Sequence, residues 1–152
     1  MTTRDDGAVV IMLGPSGAGK GTQSKRLAQA MALPHTSSGD LLRQFKRKDN
    51  YIAEAMRKGI LISHDLICSV IFSRIAHPDC CSGFILDGFP EQAEALDECF
   101  SDLKSRDQKR NVQLLAILLI VDQATAAQRL ADRRICPTCT FVYDVRKPAA
   151  EG

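Results

Sequence analysis

The residues best equipped for chemistry are Gly14-Pro15-Ser16-Gly17-Ala18-Gly19-Lys20-Gly21-Thr22, which directly follow the apolar run Val9-Val10-Ile11-Met12-Leu13. Spaced glycines let successive backbone N–H groups face one concavity, a helix opening after them offers its positive end, and Lys20 supplies a mobile ammonium. That combination holds the phosphate tail of a nucleoside triphosphate. Gly17, Ala18, Gly19, Lys20, Gly21 and Thr22 are therefore the expected lining of an ATP or GTP phosphate site, with the Thr22 hydroxyl available to Mg²⁺. The general pattern has Ser or Thr directly after the Lys. Here Gly21 intervenes, which marks a sub-type of the loop. A glycine-rich turn without chemistry is the alternative, and the strand before it and helix after it argue against that.

The elements that must position this loop alternate between apolar strands and amphipathic helices, the α/β signature. A helix is expected over roughly 20–33, and a short strand at Pro34-His35-Thr36 ends at Ser37-Ser38-Gly39-Asp40. Gly83-Phe84-Ile85-Leu86-Asp87 and Val112 to Asp122 read as further strands, the latter followed by a helix through Arg134. Leu41 to Ala76 reads as helical, broken at Gly59, and too long for a plain crossover. Leu114 to Val121 is apolar on both alternating faces, as suits an interior parallel strand covered by helices on both sides and paired on both edges, but with no later strand read beyond it its outer edge is expected to be open.

Composition sets the remaining bounds. The chain has 152 residues, 45% hydrophobic and 25% charged, enough for one core and a single domain over 1–152. A net charge of +2, with no basic run interleaved with aromatics, gives no reason to expect nucleic acid as a partner. No apolar signal region opens the chain, and its apolar runs are far shorter than the ~20 residues of a membrane span, so a cytoplasmic protein without membrane contact is expected. Its six cysteines are then expected as thiols. Cys136 and Cys139 form half of a tetrahedral zinc site, and zinc is not expected. His35, His64 and His77 lie in unrelated segments without a Cys or Ser partner at a motif spacing, and read as surface or strand-end residues.

Several segments together resemble the adenylate kinase family of nucleoside monophosphate kinases, in order along the chain. Gly14 to Gln23 is similar to the family phosphate loop, Ser37-Ser38-Gly39-Asp40-Leu41-Leu42-Arg43 to its acceptor-site motif, and Gly83 to Pro90 with Gln92-Ala93-Glu94-Ala95-Leu96 to its second signature. Arg129 to Cys139 resembles the hinge into the family's lid. The resemblance covers roughly 8–144. It implies a P-loop doubly wound parallel sheet with helices on both faces, a small helical acceptor-site insertion over about 38–76, and a partial lid and tail over about 135–152. It implies Mg²⁺-dependent transfer of the ATP γ-phosphoryl group to AMP, giving two ADP, in a monomer.

The roles that the resemblance carries over are these. Lys20, Arg43, Asp87, Arg129 and Arg133 are implied as catalytic. Arg129, Val142 and Tyr143 join the loop in binding ATP. Ser38, Arg43, Ile60, Leu61, Ile62, Gly88, Phe89, Pro90 and Gln92 are implied around AMP. The chemistry agrees with these roles. Arg43, one helical turn beyond Asp40, offers a planar two-pronged donor set to an acceptor phosphate; a solvated surface Arg is its alternative. Ser38 offers a hydroxyl to the base edge at the position where, by the resemblance, AMP-specific members carry a hydroxyl and pyrimidine-specific ones tend to carry Ala, which implies AMP. Asp87, ending a strand beside the loop, is placed to hold Mg²⁺ through its water shell or to be a solubilising strand-end acid. Arg129 and Arg133, spaced to share a helix face, with Arg134 beside them, can neutralise charge on a transferring phosphoryl group or complement a helix end.

Two features depart from the family pattern. An Arg that follows the Phe-Pro pair and grips phosphate in the family has no counterpart, since Pro90 is followed at once by Glu91 and Gln92. The lid's second ligand pair and the later strand and helix have no counterpart either, so the chain reads as a shortened member, for which self-association is an added expectation. A catalytically impaired nucleotide-binding paralogue or fragment, and a kinase for another nucleoside monophosphate, are the other readings. If the departure at Pro90 weakens the acceptor site, inserting an Arg-Thr-containing segment after Pro90 tightens AMP binding by roughly one to two powers of ten in calorimetry. An unchanged affinity would mean that another residue fills the role.

Overall fold

Two apolar, buried strands, β1 (Ala8–Leu13) and β3 (Gly83–Asp87), lie side by side at the centre of a parallel sheet. The computed structural model describes residues 7–45, 54, 58, 63–90, 101, 113–136, 138 and 142–146. The sheet adds β2 (His35–Ser37) and β4 (Gln113–Leu118), in the spatial order β2-β3-β1-β4, with every neighbouring pair parallel. Successive side chains point to opposite faces, so β1 supplies both layers of the core. Val9 and Ile11 pack with Ile71, Phe84, Leu86 and Phe89 on one face. Val10 and Met12 pack with Ile85 on the other, against Leu27, Ala28 and Leu33.

The helices follow from their ends. Helix α1 (Lys20–Met31) opens on the phosphate loop and closes at Ala32, whose φ of 54° is left-handed and whose N–H donates to Ala28 O. Helix α2 (Ser38–Phe45) begins at once after β2. Helix α3 (His64–Ile75) starts from Ser63, whose hydroxyl accepts the Leu66 N–H. Glu54 and Lys58 are helical and pair at 2.7 Å, one turn apart. The break expected at Gly59 lies outside the described residues.

Between α3 and β3 a short 3₁₀ turn, Pro78–Cys80, is pinned by charge. The Arg74 guanidinium grips Asp79 through two bonds of 2.8 and 2.7 Å, and His77 Nδ1 lies 3.0 Å from the same carboxylate. Hydrogen bonding from Arg74 holds the Asp79 carboxyl well below the usual carboxylate range and raises the Arg74 pKa in turn. The neighbouring Cys80 thiol is pushed up to about 11 by burial.

Two sequence expectations are corrected. Helix α4 is Gln123–Ala131 and stops short of Arg134; Arg133–Ile135 instead forms β5, antiparallel to β6 (Val142–Asp144). Its end is held by partners that helical periodicity does not reveal. Arg134 Nη1 donates to Ala131 O at 2.7 Å, the Val145 N–H donates to Asp132 O, and Arg146 pairs with Asp132 at 2.7 Å. The strand β4 is also only partly covered among the described residues. Leu114, Ile117 and Leu119 pack inward, but Leu115, Leu118 and Ile120 are 49%, 61% and 88% exposed. The reason is its place in the order: β4 pairs with β1 on one side and is outermost in the sheet among the described residues.

An outermost apolar strand without charge is a template for pairing with another chain. The 152-residue chain, made alone, is expected to self-associate in size-exclusion with light scattering, less so with ATP-Mg²⁺ present, because ligand stabilises the native state by mass action. Leu118→Lys is expected to shift the profile toward monomer. A thermally robust monomer without ligand would show that the edge is protected.

Candidate functional site

The parallel register brings three loops to one rim. Met12 and Ser37 are both register partners of Asp87, so β1, β2 and β3 end at the same level. Ligands of open α/β sheets bind outside such carboxyl ends.

After β1 the chain turns through the phosphate loop, where Gly17 has φ +85° and its Hα faces the α4 backbone. A Cβ there would lie 2.5 Å from Ala126 O. The missing side chain lets α4 lie against the loop, and Arg129 Nη1 reaches Gly17 O at 3.3 Å and Ala18 O at 3.5 Å. Asp122, the α4 N-cap, accepts the Thr125 N–H at 2.8 Å, and hydrogen bonding from Thr125 lowers its pKa. Lys20, the first residue of α1, donates from Nζ to Gly14 O at 2.7 Å and to Pro15 O at 3.1 Å. The ammonium thus lies across the mouth of its own loop, satisfied by carbonyls.

Asp87 is 7% exposed at the end of β3. Its Oδ2 lies 3.5 Å from His35 Nε2 and beside Gly21, where a Cβ would approach it to 3.2 Å. The absent side chain at 21 leaves a small recess between this buried carboxylate and the start of α1, next to Thr22. Oxygen donors there suit a hard divalent cation such as Mg²⁺.

The second half of the rim joins α2 to the turn after β3. Ser38 is buried, and its Oγ donates to Gly88 O at 2.7 Å. Gly88 has φ +77°, and a Cβ there would lie 2.7 Å from that hydroxyl, so the contact needs glycine. Phe89 and Pro90 are buried beside it. The Arg43 side chain is 13% exposed, pairs with Asp40, and keeps a buried Nε without a partner.

The structure thus gathers Gly17, Ala18, Gly19, Lys20, Gly21, Thr22, Asp87 and Arg129 at the loop, and Ser38, Gly88, Phe89 and Pro90 at its neighbour. Arg133, Val142 and Tyr143 lie instead in the separate β5–β6 ladder, with Arg133 and Tyr143 exposed. Arg129 and Arg133 therefore share no helix face, because α4 ends between them. Ile60, Leu61, Ile62, Gln92 and Cys139 lie outside the described residues. Cys136 is half-buried after β5, and no group of metal-ligating side chains is found among the described residues.

Two histidines are better placed than sequence suggests. His35 faces Asp87, a contact set by strand order that linear spacing does not show. His64 does have a Cys partner: its Nε2 is 3.2 Å from Cys68 Sγ, one helical turn on, and its ring stacks on Phe89 with centroids 6.0 Å apart. The four-residue spacing was the available signal.

The sequence model of the adenylate kinase family matches residues 12–147. An adenylate kinase of Thermotoga neapolitana is 40% identical over 146 residues, covering 91% of this chain and 64% of its own length. One from Archaeoglobus fulgidus is 39% identical over 142 residues, covering 88% and 62%. One from Clostridium tetani is 38% identical over 152 residues, covering 94% and 68%. The chain spans about two thirds or less of the length of most such relatives. No helix among the described residues is long and apolar enough to cross a membrane.

The tight approach at Gly17 makes a test of the loop's packing. Gly17→Ala is expected to destabilise the fold by at least ~1–2 kcal/mol, the penalty of a left-handed non-glycine residue, before the clash with Ala126 is added. Denaturant midpoints at unchanged slope would measure it. A midpoint equal to that of the parent would mean that α4 does not press on the loop.

Proposed function

This chain belongs to the adenylate kinase family, and from that premise we propose that it transfers the γ-phosphoryl group of ATP to AMP, with Mg²⁺, giving two ADP. The observation that carries the reading is the single rim on which the Lys20 loop and Asp87 stand beside the Ser38–Gly88 contact, a donor site next to an acceptor site.

The roles follow from charge and position. Backbone N–H groups of residues 17–22 and the α1 terminus bind the ATP phosphates, and Lys20 exchanges its carbonyl partners for phosphate oxygens. Thr22 and Asp87 would hold Mg²⁺, which when bound neutralises charge on the donor phosphates. Arg129, already leaning on the loop, faces the charge that spreads over the group in flight. Arg43 takes the acceptor phosphate by leaving Asp40, its unpartnered Nε adding a donor. Arg133, with Val142 and Tyr143, comes from the β5–β6 ladder to the ATP side. No general base is needed, because the acceptor phosphate is already anionic. Ser38, Gly88 and Phe89, with Ile60, Leu61, Ile62 and Gln92, surround the acceptor base. The protein acts as a cytoplasmic enzyme in nucleotide biosynthesis.

A second reading is a nucleotide-binding chain with impaired turnover. Glu91 directly after Pro90 favours it, since an acid there repels an acceptor phosphate.

Purified chain with ATP, AMP and Mg²⁺ is expected to form ADP, and CMP, UMP and GMP to serve poorly. Lys20→Ala is expected to lower turnover by about two to three powers of ten, with the fold of the unliganded protein retained in circular dichroism. Turnover unchanged in that variant would remove the phosphate-loop role. ATP binding in calorimetry without any ADP formation would select the second reading.

A further inference from the structure

The α3 start carries an exposed aromatic ring that none of the roles above uses. His64 is its first residue, and its ring lies over Phe89 with 23° between the planes. Phe89 is only 2% exposed and belongs to the core, whereas His64 is exposed. One face of the imidazole is therefore backed by a fixed apolar wall, and among the described residues nothing is recorded stacking on the other. The ring is also held in rotation, since Nε2 lies 3.2 Å from Cys68 Sγ on the next turn. Ser63 caps the helix beneath it and fixes the backbone.

Its surroundings are those of the acceptor side. Phe89 follows Gly88, whose carbonyl takes the Ser38 hydroxyl, and α2 and α3 share one core layer through Leu41, Ile67 and Cys68. A rigid, backed aromatic face is what a planar base stacks upon, and such stacking needs no hydrogen-bond match.

We propose that His64 is a specificity-determining residue, its face away from Phe89 being the stacking surface for the base of the acceptor nucleotide. This rests on the acceptor reading of the Ser38–Gly88 side. The larger π-surface of a purine gains more from the contact than that of a pyrimidine, so His64 biases the site toward AMP over CMP and UMP.

Calorimetric binding tests it without requiring turnover. AMP is expected to bind His64→Ala about tenfold more weakly than the parent, the lower range of base–aromatic stacking. His64→Phe is expected to restore the parent affinity, since it keeps a ring while losing the ring nitrogens. ATP affinity is expected to stay unchanged in both. Ribose 5-phosphate, which lacks the base, is expected to bind parent and His64→Ala alike; a purely structural role would weaken both ligands. The chain contains no Trp, so His64→Trp places a sole indole at the position, and AMP but not ribose 5-phosphate is expected to quench it. Equal AMP affinity in parent and His64→Ala would overturn the proposal alone. A parent chain that binds ATP but not AMP would overturn the acceptor reading and this proposal with it.

Discussion

Everything at the rim depends on the parallel register of β1, β2 and β3. Hydrogen bonding fixes Met12 and Ser37 opposite Asp87, and that alignment sets the phosphate loop, the buried carboxylate and the start of α2 at one height. The register is held strongly because a slip of one residue would turn Val9, Ile11, Ile85 and Leu86 to the wrong faces of a core packed on both sides. The cost of any slip falls on the interior, and its benefit is collected at the strand ends. Glycine does the rest: Gly17, Gly21 and Gly88 each leave out a side chain where another group must come close.

The strand–loop–helix unit was fully legible in sequence, because its signals are local. An apolar run, glycines at fixed offsets and a Lys at the helix start all lie within 9–22. The α/β class and the β2 and β3 strands were legible for the same reason. What escaped depends on partners distant in sequence. Arg133 and Arg134 continue a plausible helical pattern and are drawn off it by a ladder with residues 142–144. The apolar run of β4 told of burial on two faces, yet burial depends on what lies outside it, which the run itself does not encode.

Within the site the division is similar. Residue types were readable, while their resting partners were not. Sequence placed Ser38 and Arg43 in an acceptor motif; it did not show that the Ser38 hydroxyl ties α2 to the Gly88 carbonyl, 50 positions away, or that Arg43 folds back on Asp40. The His35 and Asp87 contact arises only when β2 is laid beside β3. The Ser38–Gly88 and His35–Asp87 pairs come from topology, whereas Asp40–Arg43 and His64–Cys68, three and four residues apart on a helix, had a sequence signature of their own.

The seat of Lys20 on Gly14 O and Pro15 O has a consequence for selectivity among anions. With its ammonium already satisfied by carbonyl dipoles, the loop at rest is a partly cancelled field instead of a bare cation. A small monovalent ion offers too little to draw the lysine off those oxygens. Several linked phosphates, bound as the proposed function has them, would engage the backbone amides first and present their charge where the ammonium can swing to meet it. On the proposed function the loop would be a latch set by charge density, answering to a polyphosphate rather than to a small monovalent anion.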